Sequence, residues 1–328
     1  MSRPRIWVSQ PLFTDLLERL AAHADLDAPA VVADHDADAV ANALCDVDGA
    51  LVTLNERIGG AEIATASRLR AISNVGVGIN NLDLVALDAA GIVATNTPGV
   101  LDETTADFAW ALLLGASRRV GEAERWLRAG EWRQWSFDRL LGADVHGATL
   151  GILGMGRIGQ AIARRAAGFG MRVTYHNRTR LDAEVERAHR AEWLAFDDLL
   201  GEADHLVIAL PYSPAVHHLI DAKALARMKP TAVLVNIARG GIVDDVALAS
   251  ALRERRLAAA GLDVFEGEPV LHPALLECPT ALLTPHVASA STATRRAMVS
   301  LAIDNLLAAL GIGPRAGSPP NRVTPARH

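Results

Sequence analysis

Residues 148–180 read ATLGILGMGRIGQAIARRAAGFGMRVTYHNRTR, and this stretch decides the fold. The apolar run at 149–153 predicts a buried strand, and three glycines follow it at once. Residues 160–168 then have helical spacing, and residues 171–176 are extended again. The stretch therefore predicts a strand, a tight turn, a helix and a second strand.

The three glycines have separate physical reasons to stand in this turn. Gly154 permits a sharp change of direction, Gly156 lets backbone amides approach a pyrophosphate, and Gly159 lets the helix pack closely on the strand. The first N–H groups of the helix and its positive dipole end would then face the phosphates. Similar glycines occur in ordinary turns, but the strand and helix around them favour a dinucleotide site.

The residues after the second strand indicate which dinucleotide binds. An NAD site usually has an acidic residue about 20 positions beyond the glycines, where it binds the ribose hydroxyls. This chain has Asn177, Arg178, Thr179 and Arg180 there. A carboxylate would repel a 2′-phosphate, whereas guanidinium and hydroxyl groups can bind one. NADP(H) is therefore preferred, and NAD(H) remains open because a solvated basic turn would have the same sequence.

Composition narrows the classes of protein to consider. At 328 residues the chain is long enough for two domains, and half of it is apolar. It has no apolar run near the ~20 residues of a membrane span, and its start does not resemble a signal peptide, so we expect a cytoplasmic protein. A net charge of −6 gives no sign of nucleic-acid binding. Cys45 and Cys278 lack a metal-type spacing, and no metal ligand is predicted.

Short apolar runs alternate with helical segments on both sides of the glycine-rich unit, including a strand predicted at residues 30–33. Such alternation predicts an α/β fold of doubly wound parallel sheets that are covered on both faces. Residues 103–129 predict one long helix that bridges two domains and offers a dimer surface. Residues 291–310 predict a terminal helix.

Three polar residues follow predicted strands in the second half of the chain, where ligands of doubly wound sheets bind. Arg239 follows VLVNIA, and its planar fork suits a substrate carboxylate, although a surface arginine bonded to loop carbonyls would look the same. His286 follows ALLTP and can deliver a proton near neutral pH. Glu268 can orient His286 and favour its imidazolium form, but spacing alone allows Glu266 equally. The other histidines considered are assigned structural roles: His146, His189, His217 and His218.

Four motifs in this order, GMGRIG, NIARGGIVD, AGLDVFEGEP and TPH, resemble the D-isomer-specific 2-hydroxyacid dehydrogenases. The chain as a whole is similar to their glyoxylate/hydroxypyruvate reductase branch, and the similarity extends over SNVGVGINNLD and the NRTR turn. The resemblance implies a Rossmann cofactor domain, residues 102–289, inserted in a flavodoxin-like substrate domain, residues 1–101 and 290–328. It also implies a homodimer.

The resemblance carries roles over to single residues. Arg239, Glu268 and His286 match the family's catalytic residues, with Glu268 chosen because it stands directly before Pro269. Trp135 resembles a tryptophan that reaches into the neighbouring subunit's pocket. The residues matching the cofactor path are Thr105, Arg157, Ile158, Ile237, Ala238 and Asp263, the last at the nicotinamide end. The residues matching the substrate pocket, besides Arg239 and His286, are Leu54, Val77 and Gly78.

The implied reaction is hydride transfer from NADPH to the carbonyl carbon of glyoxylate or hydroxypyruvate, which gives the D-2-hydroxy acid. A different 2-oxo acid such as 2-ketogluconate remains an alternative, and no nucleic-acid or membrane partner is expected. Formate dehydrogenases share the scaffold but have a Gln and His pair, so Glu268 disfavours them. Redox-sensing corepressors share the fold and the same three residues, and only the NADP-type turn and the lack of an extra protein-binding segment disfavour them.

Overall fold

The structure is a computed structural model that describes residues 3–32 and 35–325. The chain forms two compact units, Met1–Leu101 with Ser291–His328, and Asp102–Ala290. Each unit is built on a parallel sheet of its own. No helix in the described part of the chain is both long enough and apolar enough to cross a membrane.

The described residues of the first unit form a five-stranded parallel sheet in the order β2-β1-β3-β4-β5, which is the flavodoxin-like order. The inner strands β3 and β4 are buried along their whole length because helices cover both faces. Strands and helices run β1 Arg5–Val8, α1 Thr14–Ala21, β2 Asp25–Asp27, α2 Ala37–Leu44, β3 Gly49–Val52, α3 Gly60–Ile63, β4 Ala71–Asn74, α4 Leu84–Ala89 and β5 Val93–Thr95.

The second unit's described residues form a seven-stranded parallel sheet in the order β12-β11-β10-β9-β6-β7-β8. The order reverses between β6 and β9, as in a Rossmann fold. Its elements are α5 Asp102–Ser117, α6 Val120–Arg128, β6 Thr149–Leu153, α7 Arg157–Ala166, β7 Arg172–His176, α8 Ala183–His189, β8 Ala191–Trp193, α9 Phe196–Glu202, β9 His205–Ile208, α10 Ala222–Arg227, β10 Val233–Asn236, α11 Asp245–Arg253, β11 Ala259–Leu262, α12 Pro273–Leu276 and β12 Ala281–Leu283.

The chain then returns to the first unit with the terminal helix α13, Thr292–Ala309. Its start is capped by Ser291, whose hydroxyl accepts a hydrogen bond from the Thr294 amide. A Cβ on Gly49 would lie 3.2 Å from a methyl group of Leu306 and 3.1 Å from one of Leu310, so both leucines pack closely on β3. The two sheets confirm the predicted fold class, two doubly wound α/β domains with parallel strands.

The strand predicted at residues 30–33 is wrong for residues 30–32, and Ala33 lies outside the described residues. The second strand is instead β2, Asp25–Asp27, at the edge of the sheet. An edge strand pairs on one side only and stays partly exposed, so it lacks the apolar run of an inner strand. Val31 and Val32 are 72% and 77% exposed and pack into no core.

The single helix predicted over residues 103–129 is also wrong, because the structure has two helices, α5 and α6. The break lies at Arg119, whose φ is +53°. Its guanidinium donates hydrogen bonds to Glu122 and to the Leu141 carbonyl, and the Ala143 amide donates one of 2.9 Å to the Ser117 carbonyl. Contacts with residues 141–143 therefore end α5, and such contacts do not show in local periodicity.

Candidate active site

The glycine-rich turn follows β6 and leads directly into α7. Gly154 has φ +103°, and a Cβ there would lie 2.6 Å from the Leu210 amide nitrogen. A Cβ on Gly159 would lie 2.3 Å from the Gly154 carbonyl oxygen, so α7 packs against the turn without room for a side chain. A Cβ on Gly156 would meet nothing within 4 Å and would fill the open space at the start of α7. The turn fits a phosphate group beside the free N–H groups of a helix.

Asn177, directly after β7, supports this turn from the side. Its Oδ1 accepts a hydrogen bond of 2.7 Å from the Met155 amide, and its carbonyl accepts one of 3.1 Å from Trp193 Nε1. The side chain therefore joins the end of β7 to the glycine-rich turn. No carboxylate stands at this position to repel a phosphorylated ribose.

The two arginines of the NRTR turn differ in their partners. Arg180 donates two hydrogen bonds of 2.8 Å to Glu186 and holds the pKa of that carboxyl below its usual value. Arg178 is exposed, and its guanidinium has no hydrogen-bond or ion-pair partner among the residues that the structure describes. Thr179 is exposed beside it. Arg178 is thus available to an anionic ligand, whereas Arg180 is already paired.

Glu268 and His286 form a pair on the loops that follow β11 and β12. His286 Nδ1 lies 2.8 Å from Glu268 Oε2, and the other carboxylate oxygen accepts a hydrogen bond of 2.7 Å from the Phe265 amide. Burial opposes ionisation of Glu268, but the hydrogen bonds from His286 and Phe265 outweigh it and lower the pKa of the carboxyl. An ionised carboxylate can only accept, so Nδ1 carries the proton and Nε2 is the ring nitrogen left for a substrate.

The loop that carries His286 is fixed by Asp263, a fully buried residue. One oxygen of Asp263 accepts from the Thr284 hydroxyl and the Val287 amide, and the other accepts from the Ala288 amide, at 2.7 to 2.8 Å. The Asp263 carbonyl accepts from the His286 amide at 2.9 Å. These bonds hold the backbone of His286 at φ +54°, a conformation that residues other than glycine rarely adopt. The role of Asp263 at the nicotinamide end stays a prediction.

Arg239 lies in the turn after β10, half-buried. Its Nη1 donates a hydrogen bond of 2.7 Å to the Ala238 carbonyl. The Asn236 side chain holds the same turn, because its Oδ1 accepts from the Ala238 amide and its Nδ2 donates to the Arg239 carbonyl, both at 3.0 Å. Burial lowers the pKa of Arg239, and the nearby charge of Glu268 opposes that change. A guanidinium nevertheless stays charged in proteins, so the turn presents a cation.

The Arg239 turn packs directly on the loop that carries Glu268. A Cβ on Gly240 would lie 1.8 Å from the Phe265 carbonyl oxygen, so only glycine allows this approach. Since β10, β11 and β12 are adjacent parallel strands, the loops that follow them all lie at the carboxyl ends of the strands, on the same side of the sheet. The structure therefore brings Arg239, Glu268 and His286 together, at the sheet edge that also holds the glycine-rich turn.

The remaining residues predicted for the cofactor lie in the same unit. Arg157, at the start of α7, pairs with Asp102 at 3.3 Å. The others are buried or half-buried on the elements that surround the sheet edge: Thr105 in α5, Ile158 in α7, and Ile237 and Ala238 after β10. Their roles stay predictions.

In the first unit, Leu54, Val77 and Gly78 lie on loops after β3 and β4. Asn96 Nδ2 donates to the Val77 carbonyl and Asn74 Nδ2 to the Gly78 carbonyl, both at 2.8 Å. These bonds fix the orientation of the peptide planes around Val77 and Gly78. A methyl group of Leu54 lies 3.1 Å from the place of a Cβ on Gly76, so Leu54 packs against the same loop.

Sequence reasoning missed the polar side chains that hold these loops. These side chains belong to Asn74, Asn96 and Asn236. Each is a polar residue at or just after the end of an apolar strand, and this position is the sequence signal that could have identified them. Glu56 is a further case, because its fully buried carboxylate accepts hydrogen bonds from Ser9, Gln10 and Thr53 beside Leu54. Burial opposes its ionisation, but these bonds outweigh burial and lower its pKa.

Trp135 lies in the segment between α6 and β6, with 74% of its surface exposed. Its ring and that of Phe137 meet edge to face, with their centroids 6.1 Å apart. Trp132, Phe137 and Leu141 are exposed as well. The segment between α6 and β6 therefore exposes four large apolar side chains, and the contact of Trp135 with a partner subunit stays a prediction.

A doubly wound sheet with a phosphate-binding turn and an Arg, Glu and His set at the same edge defines a dinucleotide-dependent oxidoreductase. Residues 110–288 match the family model of the D-isomer specific 2-hydroxyacid dehydrogenase NAD binding domain. The chain belongs to the D-isomer specific 2-hydroxyacid dehydrogenases.

Similar proteins support this membership over most of the chain. It is 47% identical to a glyoxylate reductase of Thermococcus onnurineus over 267 residues, which cover 80% of both chains. It is 42% identical to the glyoxylate reductase of Thermococcus gammatolerans over 310 residues, 93% of this chain and 92% of the relative. An NADPH-dependent glyoxylate/hydroxypyruvate reductase of Sinorhizobium meliloti, solved with NADP and malonate, superposes with a TM-score of 0.87 at 37% identity, covering 100% of this chain and 99% of that one.

Proposed function

We propose that the protein reduces glyoxylate or hydroxypyruvate to the corresponding 2-hydroxy acid, of D configuration where the product is chiral, with NADPH as the preferred cofactor. The observation that carries this proposal is the 2.8 Å pair of His286 and Glu268 beside the half-buried cation of Arg239. A proton donor next to a carboxylate-binding cation is what reduction of a 2-oxo acid needs. The named activities of the Thermococcus and Sinorhizobium relatives support the same substrates.

The residues present fit a nicotinamide dinucleotide. The open space at Gly156 and the N-terminus of α7 suit its pyrophosphate, and exposed Arg178 suits a 2′-phosphate. Thr179 adds a hydroxyl at the same turn, and Asn177 leaves the turn without a repelling charge. Bound NADPH supplies a hydride to the carbonyl carbon of the substrate.

His286 provides the proton that completes the reduction. As negative charge develops on the carbonyl oxygen, Nε2 of His286 donates its proton to that oxygen, and the product is an alcohol. Glu268 stabilises the positive charge of the ring through Nδ1 and keeps the ring in one orientation. The backbone of His286 is itself fixed by Asp263, so the proton donor needs little rearrangement.

The substrate carboxylate is assigned to Arg239 and to the amides of Val77 and Gly78. Arg239 can donate two parallel hydrogen bonds to a carboxylate and polarise the adjacent carbonyl. Leu54 is assigned to the wall that meets the group beyond the carbonyl, which separates glyoxylate from larger 2-oxo acids. The exposed apolar side chains of the segment that carries Trp135 support a homodimer, and we place the enzyme in the cytoplasm.

Initial rates test this proposal directly. NADPH and NADH are each supplied with glyoxylate, hydroxypyruvate and 2-ketogluconate, and kcat/KM is compared across the six pairs. We expect NADPH with glyoxylate or hydroxypyruvate to be fastest. In addition, His286→Ala should remove most turnover, whereas His23→Ala, which changes an exposed histidine of the first unit, should not. Absence of turnover with every pair, together with a dimerisation that responds to cofactor, would instead establish the redox-sensor alternative.

A further inference from the structure

Three side chains form a second cluster on the second unit, apart from the His286 pair. His217 and His218 precede α10, and Glu266 lies in the loop after β11. One ligand atom from each of the three lies within 4.8 Å of the others. His218 Nε2 is 2.7 Å from Glu266 Oε2, and His217 Nε2 is 3.8 Å from Glu266 Oε1. Both imidazoles therefore turn the same nitrogen toward one carboxylate.

The other ring nitrogen of each histidine faces an oxygen. His217 Nδ1 and the Tyr212 hydroxyl are 3.2 Å apart, within hydrogen-bond distance, whereas His218 Nδ1 is 4.0 Å from Asp244 Oδ2, which is too long for a hydrogen bond. Histidines that bind metal ions usually have such a partner on the nitrogen away from the ion, because the partner fixes the ring orientation. The two rings also stack, with their centroids 4.0 Å apart and their planes at 21°.

The backbone around the cluster is fixed as well. The His218 amide donates to the Gly241 carbonyl at 2.7 Å, and the Glu266 amide donates to Asp245 Oδ2 at 3.1 Å. The three ligand atoms come from two loops, one anchored to the turn before α11 at Gly241 and the other to the first residue of α11, Asp245. A ligand set held in this way loses little conformational freedom when it binds an ion.

We propose that His217, His218 and Glu266 bind one divalent transition-metal ion of the zinc type, with water in the fourth position. Two imidazoles and a carboxylate suit Zn²⁺ and its first-row neighbours, whereas Mg²⁺ and Ca²⁺ select oxygen ligands. Ligands about 2.0 to 2.1 Å from a tetrahedral ion are roughly 3.3 Å from one another. The two separations from Glu266, 2.7 and 3.8 Å, lie on either side of that value, and no two of the three ligand atoms are more than 4.8 Å apart, so side-chain rotations can bring all three to one ion.

The site does not depend on the proposed reaction, and zinc binding tests it without any turnover. Tag-free full-length protein is freed of metal with a chelator, dialysed, and titrated with Zn²⁺ by calorimetry at neutral pH. We expect one Zn²⁺ per chain. His217→Ala, His218→Ala and Glu266→Gln should each weaken binding by more than about 100-fold, because loss of a residue that only hydrogen-bonds to a ligand already costs about 10- to 100-fold. Tyr212→Phe should weaken it less, and His23→Ala should leave it unchanged.

Cobalt gives a second, independent measurement. Co²⁺ in a four-coordinate site absorbs visible light strongly, and we expect this absorption in the parent protein and its loss in His218→Ala. Circular dichroism of each variant confirms that it is folded. The proposal is overturned if the protein binds no stoichiometric Zn²⁺, or if the three ligand variants bind it as tightly as the parent protein.

Discussion

Replacement of Arg178 by alanine tests whether the NRTR turn selects the phosphorylated cofactor. Arg178 is exposed and its side chain has no hydrogen-bond or ion-pair partner among the described residues, so its removal breaks no polar interaction within that part of the chain. A charge-assisted hydrogen bond contributes about 1.5 to 3 kcal/mol, and exposure to water reduces the value toward the lower end. A loss of about 1.4 to 2 kcal/mol corresponds to roughly a 10- to 30-fold lower kcat/KM for NADPH. The kcat/KM for NADH should change less than about twofold, because NADH lacks the phosphate.

Arg180→Ala is the matched control, since both changes remove one guanidinium from the same turn. The Arg180 side chain already donates two hydrogen bonds to Glu186 and has less to offer a phosphate. Steady-state rates at fixed glyoxylate, with NADPH and NADH each varied, give the cofactor ratio for both variants. Our reasoning is refuted if Arg178→Ala keeps the parent ratio, or if Arg180→Ala changes it as much.

Three further changes test the rest of the site. Glu268→Gln keeps an acceptor for the Phe265 amide but removes the charge beside the proton donor, so kcat should fall about 100-fold with cofactor KM nearly constant; a kcat within twofold of the parent would contradict its role. Gly240→Ala forces a Cβ onto the Phe265 carbonyl and should cost about 1 to 3 kcal/mol, seen as a Tm lowered by several degrees, whereas Gly201→Ala has room; equal Tm values would show the contact to be wrong. The pKa of Glu56 is lowered on folding, so its stabilisation is complete above the unfolded value of about 4.5 and is lost as pH falls through the lower folded value. Denaturant titrations should therefore show Glu56→Gln destabilised by about 1 to 3 kcal/mol at pH 7 and much less at pH 3, and a pH-independent difference would exclude this account.

The parts of the molecule that sequence predicted are those encoded by local patterns. The glycine-rich unit was predicted because each glycine answers a constraint within a few residues, and the structure shows the same close approaches at Gly154 and Gly159. The parallel sheets followed from the alternation of apolar runs and helices. The pairing of His286 with Glu268 rather than Glu266 needed the family resemblance, because spacing treats both acids alike. In the structure, Glu268 Oε2 lies 2.8 Å from His286 Nδ1.

The parts that sequence did not predict depend on contacts between distant residues. The break between α5 and α6 is caused by residues 141–143, which no local window contains. Asn74 at the end of β4 and Asn96 after β5 donate hydrogen bonds to the Gly78 and Val77 carbonyls of one loop. The sequence around each asparagine does not indicate these bonds. The cluster of His217, His218 and Glu266 joins segments about 50 residues apart, so sequence spacing gave no metal signal.

The hydrogen bonds around Asp263 have a consequence for the order of the His286 loop before any ligand binds. Arg239, Glu268, His286 and the groups that hold them are all encoded between residues 236 and 288, on three neighbouring strands. Because the bonds that orient His286 all come from this one segment, the ring is pre-organised and its placement does not depend on contacts with a bound ligand.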